Sequence, residues 1–374
     1  MPGNLLTIKN QLAIKVMKEL LKRLNLYKIK DLEFDETLSG GKASATLVYK
    51  KSDEKYIVKI LIAPRNDNEL KRFKQEAEAL EKIKDSLLTF HTELTIPRLI
   101  TSFTQHENLP VYYFIMEKVE GKRLDEIFTL RPLPWTWKDS IIMLLRIATA
   151  LKYIGLKYIH RDLHPLNIIV QEDSEYSKLD RIYLKTGIKI LDFGCTKDWI
   201  NYTFGLWNDD SFRIPGAISS WSPELLINPN EVDIKHDSWA LGVIFYRLLT
   251  NKYPYPAENF GDIINYKENI LLTFNEIELL ECPLAVKLLV KKCLEIDKDE
   301  RFSVSQIIDV CNDVLYSDLL GFAVSRINKY FDNGGSLYAC NKCYNVDISG
   351  LQNRCPKCGV VLEDEDIANM LSFS

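Results

Sequence analysis

The spacing of apolar residues changes along this chain of 374 residues, and that change restricts the possible folds more than any other feature. From Leu32 to Leu61, short apolar runs separated by turn residues are typical of three antiparallel strands. A charged helical stretch follows at about 68–84, with further strand-like runs between 98 and 116. Residues 139–315 are mostly helical in pattern, around an irregular centre at about 160–230. We therefore predict an α+β fold in which a strand-rich part precedes a larger helical part.

The composition is that of a soluble globular protein, with 46% hydrophobic and 27% charged residues. Its length favours two or three domains at about 150 residues each. Forty-eight basic residues against 52 acidic ones give a net charge of −4, so we expect no nucleic-acid binding. The most apolar stretch, 141–156, contains Arg146 and Lys152 and is too short to span a bilayer. The N-terminus lacks the apolar core of a secretory signal, and we expect a cytoplasmic protein.

The first 31 residues form a predicted amphipathic helix that is strongly basic. Residues 1–30 contain seven basic residues and one acidic residue, giving a net charge of +6. Its predicted apolar face consists of Leu5, Ile8, Leu12, Val16, Leu20 and Leu24. Such a helix can contact an anionic membrane peripherally, or it can pack on the protein body with its lysines solvated. The sequence favours packing and leaves the membrane contact open.

An acid and an amide stand five residues apart in the octamer from His160 to Asn167, just before the apolar run 168–170. In a phosphoryl-transfer site, the carboxylate of Asp162 can accept a hydroxyl proton while the amide oxygen of Asn167 helps to hold Mg²⁺. A polar turn before a strand is the alternative explanation. The length of the motif favours the interpretation as a phosphoryl-transfer site.

A second carboxylate, Asp192, ends another apolar run and is followed by Phe193 and Gly194. The triplet alone is a weak signal. Its position 25 residues after Asn167 makes it strong, and Asp192 becomes the natural partner of Asn167 in holding Mg²⁺.

With these motifs the sequence resembles the eukaryotic-type protein kinase family over about residues 32–316. The resemblance implies two lobes, a β-rich one over about 32–118 and an α-rich one over about 119–316. It also implies that Lys59 grips the phosphates of ATP and that Glu76 is its helix partner, with Glu78 as a rival. The catalytic set would then be Lys59, Glu76, Asp162, Asn167 and Asp192.

The resemblance extends to the nucleotide pocket, where Met116 stands at the gatekeeper position of the hinge. Beyond Lys59, Asn167 and Asp192, the implied ATP-binding positions are Leu38, Gly40, Gly41, Met116, Glu117 and Val119. The sequence departs from the family at Ser39 and Ser44, where glycine is usual, and at His164, where Ser/Thr kinases usually have lysine.

Three downstream features resemble the lobe that binds peptide substrates in protein kinases. Ser222-Pro223-Glu224 matches the end of the activation segment, residues 237–242 match the following core helix, and Arg301 matches the arginine that pairs with Glu224. Small-molecule kinases generally lack these features, so a protein substrate is implied.

The C-terminal tail contains two Cys-x-x-Cys pairs separated by eleven residues. Four thiolates, from Cys340, Cys343, Cys355 and Cys358, can close a tetrahedral shell around a structural Zn²⁺. The pattern resembles a zinc ribbon over 335–374 with an acidic end, after a predicted helical linker over 317–334. A redox pair is the competing interpretation, disfavoured because no βαβ pattern surrounds either pair.

The sequence therefore predicts a Ser/Thr protein kinase that uses ATP and Mg²⁺ or Mn²⁺, with a zinc ribbon that docks a protein partner. A catalytically weak kinase-fold scaffold is the main alternative, favoured by the irregular glycine loop and opposed by the complete catalytic set. A small-molecule kinase is the second alternative.

Overall fold

The computed structural model describes twelve stretches of the chain together with Val16. They are 18–40, 44–86, 95–107, 109–130, 134–155, 158–171, 187–198, 220–227, 233–255, 266–316, 338–339 and 346–347. The chain divides into two compact units, 1–311 and 312–374. The predicted linker over 317–334 and the four tail cysteines lie outside the described residues.

The strand-rich lobe is one antiparallel sheet of six strands in the order β1-β2-β3-β4-β6-β5. Its strands are β1 (Lys28–Ile29), β2 (Leu32–Gly40), β3 (Ser44–Lys51), β4 (Glu54–Ile62), β5 (Leu99–Gln105) and β6 (Val111–Glu117). The three strands predicted between Leu32 and Leu61 are confirmed as β2, β3 and β4. The charged helical stretch is α1, Asp67–Ser86, which packs against β5.

The second lobe consists mainly of helices, as predicted. They are α2 (Leu124–Leu130), α3 (Trp137–Gly155), α4 (Pro223–Ile227), α5 (Lys235–Thr250), α6 (Tyr266–Glu278) and α7 (Leu284–Cys293), followed by helical residues from 304. Short strands complete the described part of this lobe: β7 (Lys122–Arg123), β8 (Tyr158–Ile159), β9 (Ile168–Val170), β10 (Ile188–Ile190) and β11 (Lys197–Asp198). No described helix is long and apolar enough to cross a membrane.

Helix α5 is the centre of the helical lobe, because it packs against both α3 and α7. Most of its side chains are buried, including Trp239 and Leu241. A Cβ added at Gly242 would lie 2.7 Å from Cys293 Cβ, so glycine allows α7 to approach α5 closely. This rigid core carries Asp237, which fixes the loop described below.

The described end of the N-terminal segment, from residue 18, contributes to the first lobe's core. Its helical residues end at 23, and β1 then pairs with β2 at the sheet edge. Leu21 and Leu26 are fully buried in the same apolar cluster as strand residues of the sheet, and Tyr49 Oη donates to the Leu26 carbonyl at 2.6 Å. Of the predicted apolar face, Leu5, Ile8 and Leu12 lie outside the described residues, and the prediction is wrong for Val16 and Leu20, which are 61% and 37% exposed. Leu21, outside the predicted face, is the residue that anchors the helix.

We expect Leu21→Ala to lower the free energy of unfolding by about 3 kcal/mol, because it leaves a cavity in a closed apolar cluster. Leu20→Ala is the matched control one residue earlier and should cost well under about 1 kcal/mol, since Leu20 keeps much of its surface in water. Urea denaturation of both variants measures the difference. Equal losses would mean that the segment is not docked as described.

In the second unit, β12 (Tyr338–Ala339) and β13 (Val346–Asp347) pair antiparallel. Tyr338 lies opposite Asp347, and Ala339 lies opposite Val346. The first predicted cysteine pair, Cys340 and Cys343, therefore falls in the segment that joins two paired strands.

Candidate active site

A buried carboxylate of α5 holds the backbone of the predicted catalytic loop. The Asp237 oxygens accept hydrogen bonds from the N–H groups of His160 and Arg161, at 2.8 and 3.0 Å. Asp237 is 1% exposed, and Arg161 takes a left-handed backbone with φ of 63°. Such a conformation costs energy for a non-glycine residue, so the two hydrogen bonds from Asp237 help to keep the loop in its bent form.

Asp162 lies between an imidazole and an amide. His164 Nε2 is 3.3 Å from Asp162 Oδ1, and Asn167 Nδ2 is 3.4 Å from Oδ2. Asn167 Nδ2 also donates to the Asp162 carbonyl at 2.9 Å. These contacts fix the carboxylate while its side chain stays 14% exposed, so a hydroxyl group can reach it.

Asp192 follows β10 at the point where the chain turns, with a left-handed φ of 61°. The N–H of Gly194 donates to Asp192 Oδ1 at 3.2 Å, and a Cβ at Gly194 would lie only 3.3 Å from that oxygen. The Lys59 ammonium lowers the pKa of Asp192 even though burial opposes it. Asp192 is therefore an anion at neutral pH.

Lys59 and Glu76 form the predicted ion pair between β4 and α1. The Lys59 side chain is 15% exposed and that of Glu76 is 7% exposed. Burial alone would lower the pKa of Lys59, but Glu76 and Asp192 raise it above its usual range, so the ammonium stays charged. The rival Glu78 instead pairs with Lys74 on the exposed side of the helix.

Phe193 connects the two motifs with helix α1. It is fully buried and packs edge-on against His160 with ring centroids 5.2 Å apart. Burial raises the pKa of Glu76, the partner of Lys59, and the nearby backbone N–H of Phe193 acts against that rise. The positions of Lys59, Glu76 and Asp192 are therefore coupled.

The structure places Asn167 beside the segment that carries Asp192. The N–H of Leu191 donates to the Asn167 carbonyl at 2.8 Å, so the two metal candidates stand on paired backbone. The amide nitrogen of Asn167 contacts Asp162, which leaves its oxygen as the ligating group. One ionised carboxylate and one amide oxygen fit Mg²⁺, a hard cation that prefers oxygen ligands. Among the described residues no group of three or more His, Cys, Asp or Glu side chains could hold a metal ion.

The hinge follows β6, where Met116 lies opposite Ile57 of β4 in the sheet register. Met116 is 8% exposed, whereas Leu38 on β2 is 46% exposed. Val119, the third implied hinge residue, directly follows this strand end and is half-buried. Gly40 ends β2, and Gly41 lies outside the described residues.

One ion pair beside the implied hinge is not predicted by the sequence. Lys189, on the strand before Asp192, donates to Glu117 Oε1 at 2.6 Å and to the Ile96 carbonyl at 2.8 Å. Its side chain is 7% exposed. The pair joins the end of β6 to β10, the strand that precedes Asp192. The only feature of the sequence that indicates this ion pair is a lysine within an apolar run.

Comparison with known proteins agrees with this geometry. A family model described as the protein kinase domain matches residues 34–310. The serine/threonine-protein kinase tousled-like 2 of Xenopus tropicalis is 26% identical over 282 residues, which is 72% of this chain and 38% of that protein. The human protein of the same name is also 26% identical, over 72% of this chain and 34% of its own length.

The serine/threonine-protein kinase atg1 of Dictyostelium discoideum is 26% identical over 74% of this chain and 38% of its own. This chain thus spans between 34% and 38% of the length of these relatives. Because the kinase-domain model covers most of the chain and the residues of its active site stand together, the chain belongs to the protein kinase family.

Proposed function

We propose that this protein transfers the γ-phosphoryl group of ATP to Ser or Thr hydroxyl groups of protein substrates. The observation that carries the proposal is the Lys59–Glu76 ion pair, formed in the same structure as the aligned Asp162 and Asn167. Asp192 lies close enough to Lys59 to raise its pKa. Phosphoryl transfer depends on positioning and charge stabilisation, and these residues supply both.

Each residue has a distinct part in the proposed reaction. Asp162 accepts the proton of the substrate hydroxyl group, while His164 and Asn167 hold its carboxylate in place. Lys59 stays protonated and binds phosphate oxygens. Mg²⁺ held by Asn167 and Asp192 would neutralise phosphate charge.

Two observations favour a protein kinase over the alternatives. The scaffold interpretation requires a defective site, whereas the ion pair and the Asp192 turn are both formed. The small-molecule kinase is opposed by the Glu224–Arg301 pair, in which Arg301 Nη1 donates to Glu224 Oε1 at 2.7 Å. The relatives named above are serine/threonine kinases, which favours hydroxyl substrates of that type.

The test is incubation of the purified chain with labelled ATP and Mg²⁺, with and without a general protein substrate. We expect label in protein for the wild type and strong loss for Lys59→Met, which removes the phosphate-binding charge. Label in a small metabolite but not in protein would favour the second alternative. Binding of Mg²⁺-ATP without transfer would favour the scaffold.

We further propose that the tail binds one structural Zn²⁺ and serves as a docking module for a protein partner. Support comes from the paired strands β12 and β13, whose connecting segment contains Cys340 and Cys343. The tail sequence has few large apolar residues, so metal ligation would supply most of its folding free energy. Four cysteine ligands fill the shell, which gives the metal a structural role.

We expect Cys355→Ser with Cys358→Ser to release the metal and to spare phosphorylation of a general substrate. The matched control is Cys282→Ser, which changes a free thiol of the helical lobe. This variant should keep the zinc content of the wild type. Metal analysis of freshly purified protein gives the stoichiometry. A zinc content of zero in the wild type, or loss of activity in a folded double variant, would contradict the proposal.

The burial of Leu21 supports packing of the basic N-terminal segment on the kinase body over peripheral contact with an anionic membrane. We propose that deleting residues 1–23 lowers the melting temperature and leaves the binding of anionic liposomes unchanged. Loss of liposome binding at unchanged stability would reverse the assignment.

A further inference from the structure

We propose that Arg247 and Arg123 form a subsite beside the catalytic loop that binds an acidic or phosphorylated side chain of the protein substrate. The inference rests on the proposed kinase function and names the class of substrate that this site prefers. It concerns a surface outside the ATP-binding and proton-accepting residues.

Arg247 presents a half-buried cation without a carboxylate partner in the described part of the chain. It projects from α5, with its guanidinium carbon 4.3 Å from the ring centroid of Phe128 and 4.6 Å from that of Tyr253. Its Nη1 donates to Tyr253 Oη at 2.6 Å. A guanidinium has five N–H donors, and two aromatic rings do not neutralise its charge. The remaining donors of Arg247 are therefore suited to an anionic ligand.

The position of Arg247 connects it with the reaction. It lines a narrow crevice together with Leu163, His164 and Pro165, the three residues that directly follow Asp162. Tyr253 lines the same crevice. An anion bound at Arg247 would therefore lie next to the catalytic loop, where a substrate chain must pass to reach Asp162.

Arg123 adds a second cation at the same loop. It lies on β7, which pairs with β9 and contacts the turn Pro165–Asn167. Arg123 is exposed and has no acidic partner among the described residues, while the neighbouring Glu120 pairs with Lys118 at 3.0 Å. The same turn carries Leu166, which is 47% exposed. Beside the loop, α5 and β7 thus offer two guanidinium groups without acidic partners among the described residues, and the turn adds an apolar side chain.

These features select by charge. A carboxylate or phosphate can accept parallel hydrogen bonds from a guanidinium fork, so either group fits the subsite. An arginine in the substrate would instead meet like charge. We expect acidic peptides to exceed matched basic peptides by about tenfold in kcat/KM, the effect of one well-placed charged contact.

The test uses peptides with one Ser acceptor in an alanine background, with Glu, phosphoserine or Arg placed in turn at each flanking position. The Glu and phosphoserine series distinguish the two sources of negative charge. Wild type should prefer Glu or phosphoserine over Arg at one or more positions. Arg247→Gln and Arg123→Gln should each reduce that ratio, and Arg247→Glu with Arg123→Glu should reverse it. Arg23→Gln, an exposed arginine of the N-terminal segment, is the matched control and should keep the wild-type ratio.

Peptide binding is measured in parallel by fluorescence anisotropy, so that the subsite is tested even if transfer fails. Tighter binding of acidic peptides without transfer would support the subsite and contradict the proposed activity. Equal or better use of Arg peptides by the wild type would overturn the subsite, as would unchanged ratios in the folded variants. Arg123→Gln changes only an exposed side chain, so the result stands even if Arg247→Gln unfolds.

Discussion

Asp162→Asn should reduce phosphoryl transfer by about a thousandfold, the usual range for loss of a general base. The substitution keeps the size of the side chain and one oxygen that can accept from Asn167, but removes the proton acceptor. The melting temperature and the affinity for Mg²⁺-ATP should therefore stay close to wild type. Single-turnover assays with labelled ATP measure the rate, and thermal shift measures nucleotide binding.

Asp53→Asn is the matched control, because it makes the same Asp-to-Asn change in an exposed turn between β3 and β4. It should transfer phosphate at the wild-type rate. A wild-type rate for Asp162→Asn would show that another group accepts the proton. Loss of Mg²⁺-ATP binding in that variant would show that Asp162 acts in binding instead.

Short motifs predicted the candidate site because their residues are close in sequence and their spacing is fixed by local backbone. Asp162 and Asn167 contact one another across a single 3₁₀ turn, and Asp192 bonds to the N–H of Gly194 two residues later. Such constraints are readable from one chain. The choice between Glu76 and Glu78 needs more than the motif, because it depends on which face of α1 meets the sheet.

Contacts between distant segments could not be predicted in the same way. Lys189 and Glu117 are 72 residues apart in the sequence. Asp237 accepts a hydrogen bond from the N–H of His160, which lies 77 residues earlier. Both depend on how the strands and helices are arranged, which periodicity does not specify. The N-terminal helix shows the same limit of prediction from spacing. Spacing predicted its apolar face, but Leu21 is buried because it packs with strand residues of the sheet.

Loss of the buried pair between Arg301 and Glu224 should produce the largest change in stability. Arg301 is fully buried, and Nη1 and Nη2 donate to the two Glu224 oxygens at 2.7 and 2.9 Å. Its Nε donates to the Glu295 carbonyl at 2.9 Å and its Nη1 to the Lys235 carbonyl at 3.0 Å, so one side chain joins three segments of the helical lobe. Arg301→Met leaves Glu224 as an uncompensated buried charge. We expect a loss of about 3–5 kcal/mol in the free energy of unfolding.

Arg65→Met is the control of the same chemistry, because Arg65 pairs with Glu69 at 2.8 Å on the surface. It should cost no more than about 1 kcal/mol, since water and salt screen an exposed pair. Urea denaturation of the two variants decides the comparison. Equal losses would show that burial does not set the strength of the Arg301 pair.

The pH dependence of the Arg301 variant identifies the cause of its loss. Burial alone would raise the pKa of Glu224, but its hydrogen bonds with Arg301 lower it below its usual range. In the wild type the stabilisation is therefore present above the unfolded carboxyl pKa of about 4.3 and is lost as the pH falls through the folded value. In Arg301→Met the lowering effects of Arg301 on the Glu224 pKa are lost while burial remains, so the folded pKa rises and acid relieves the buried charge. The stability difference between wild type and variant should narrow as the pH is lowered from 7 toward about 4; a constant difference would mean that lost packing, not charge, destabilises the variant.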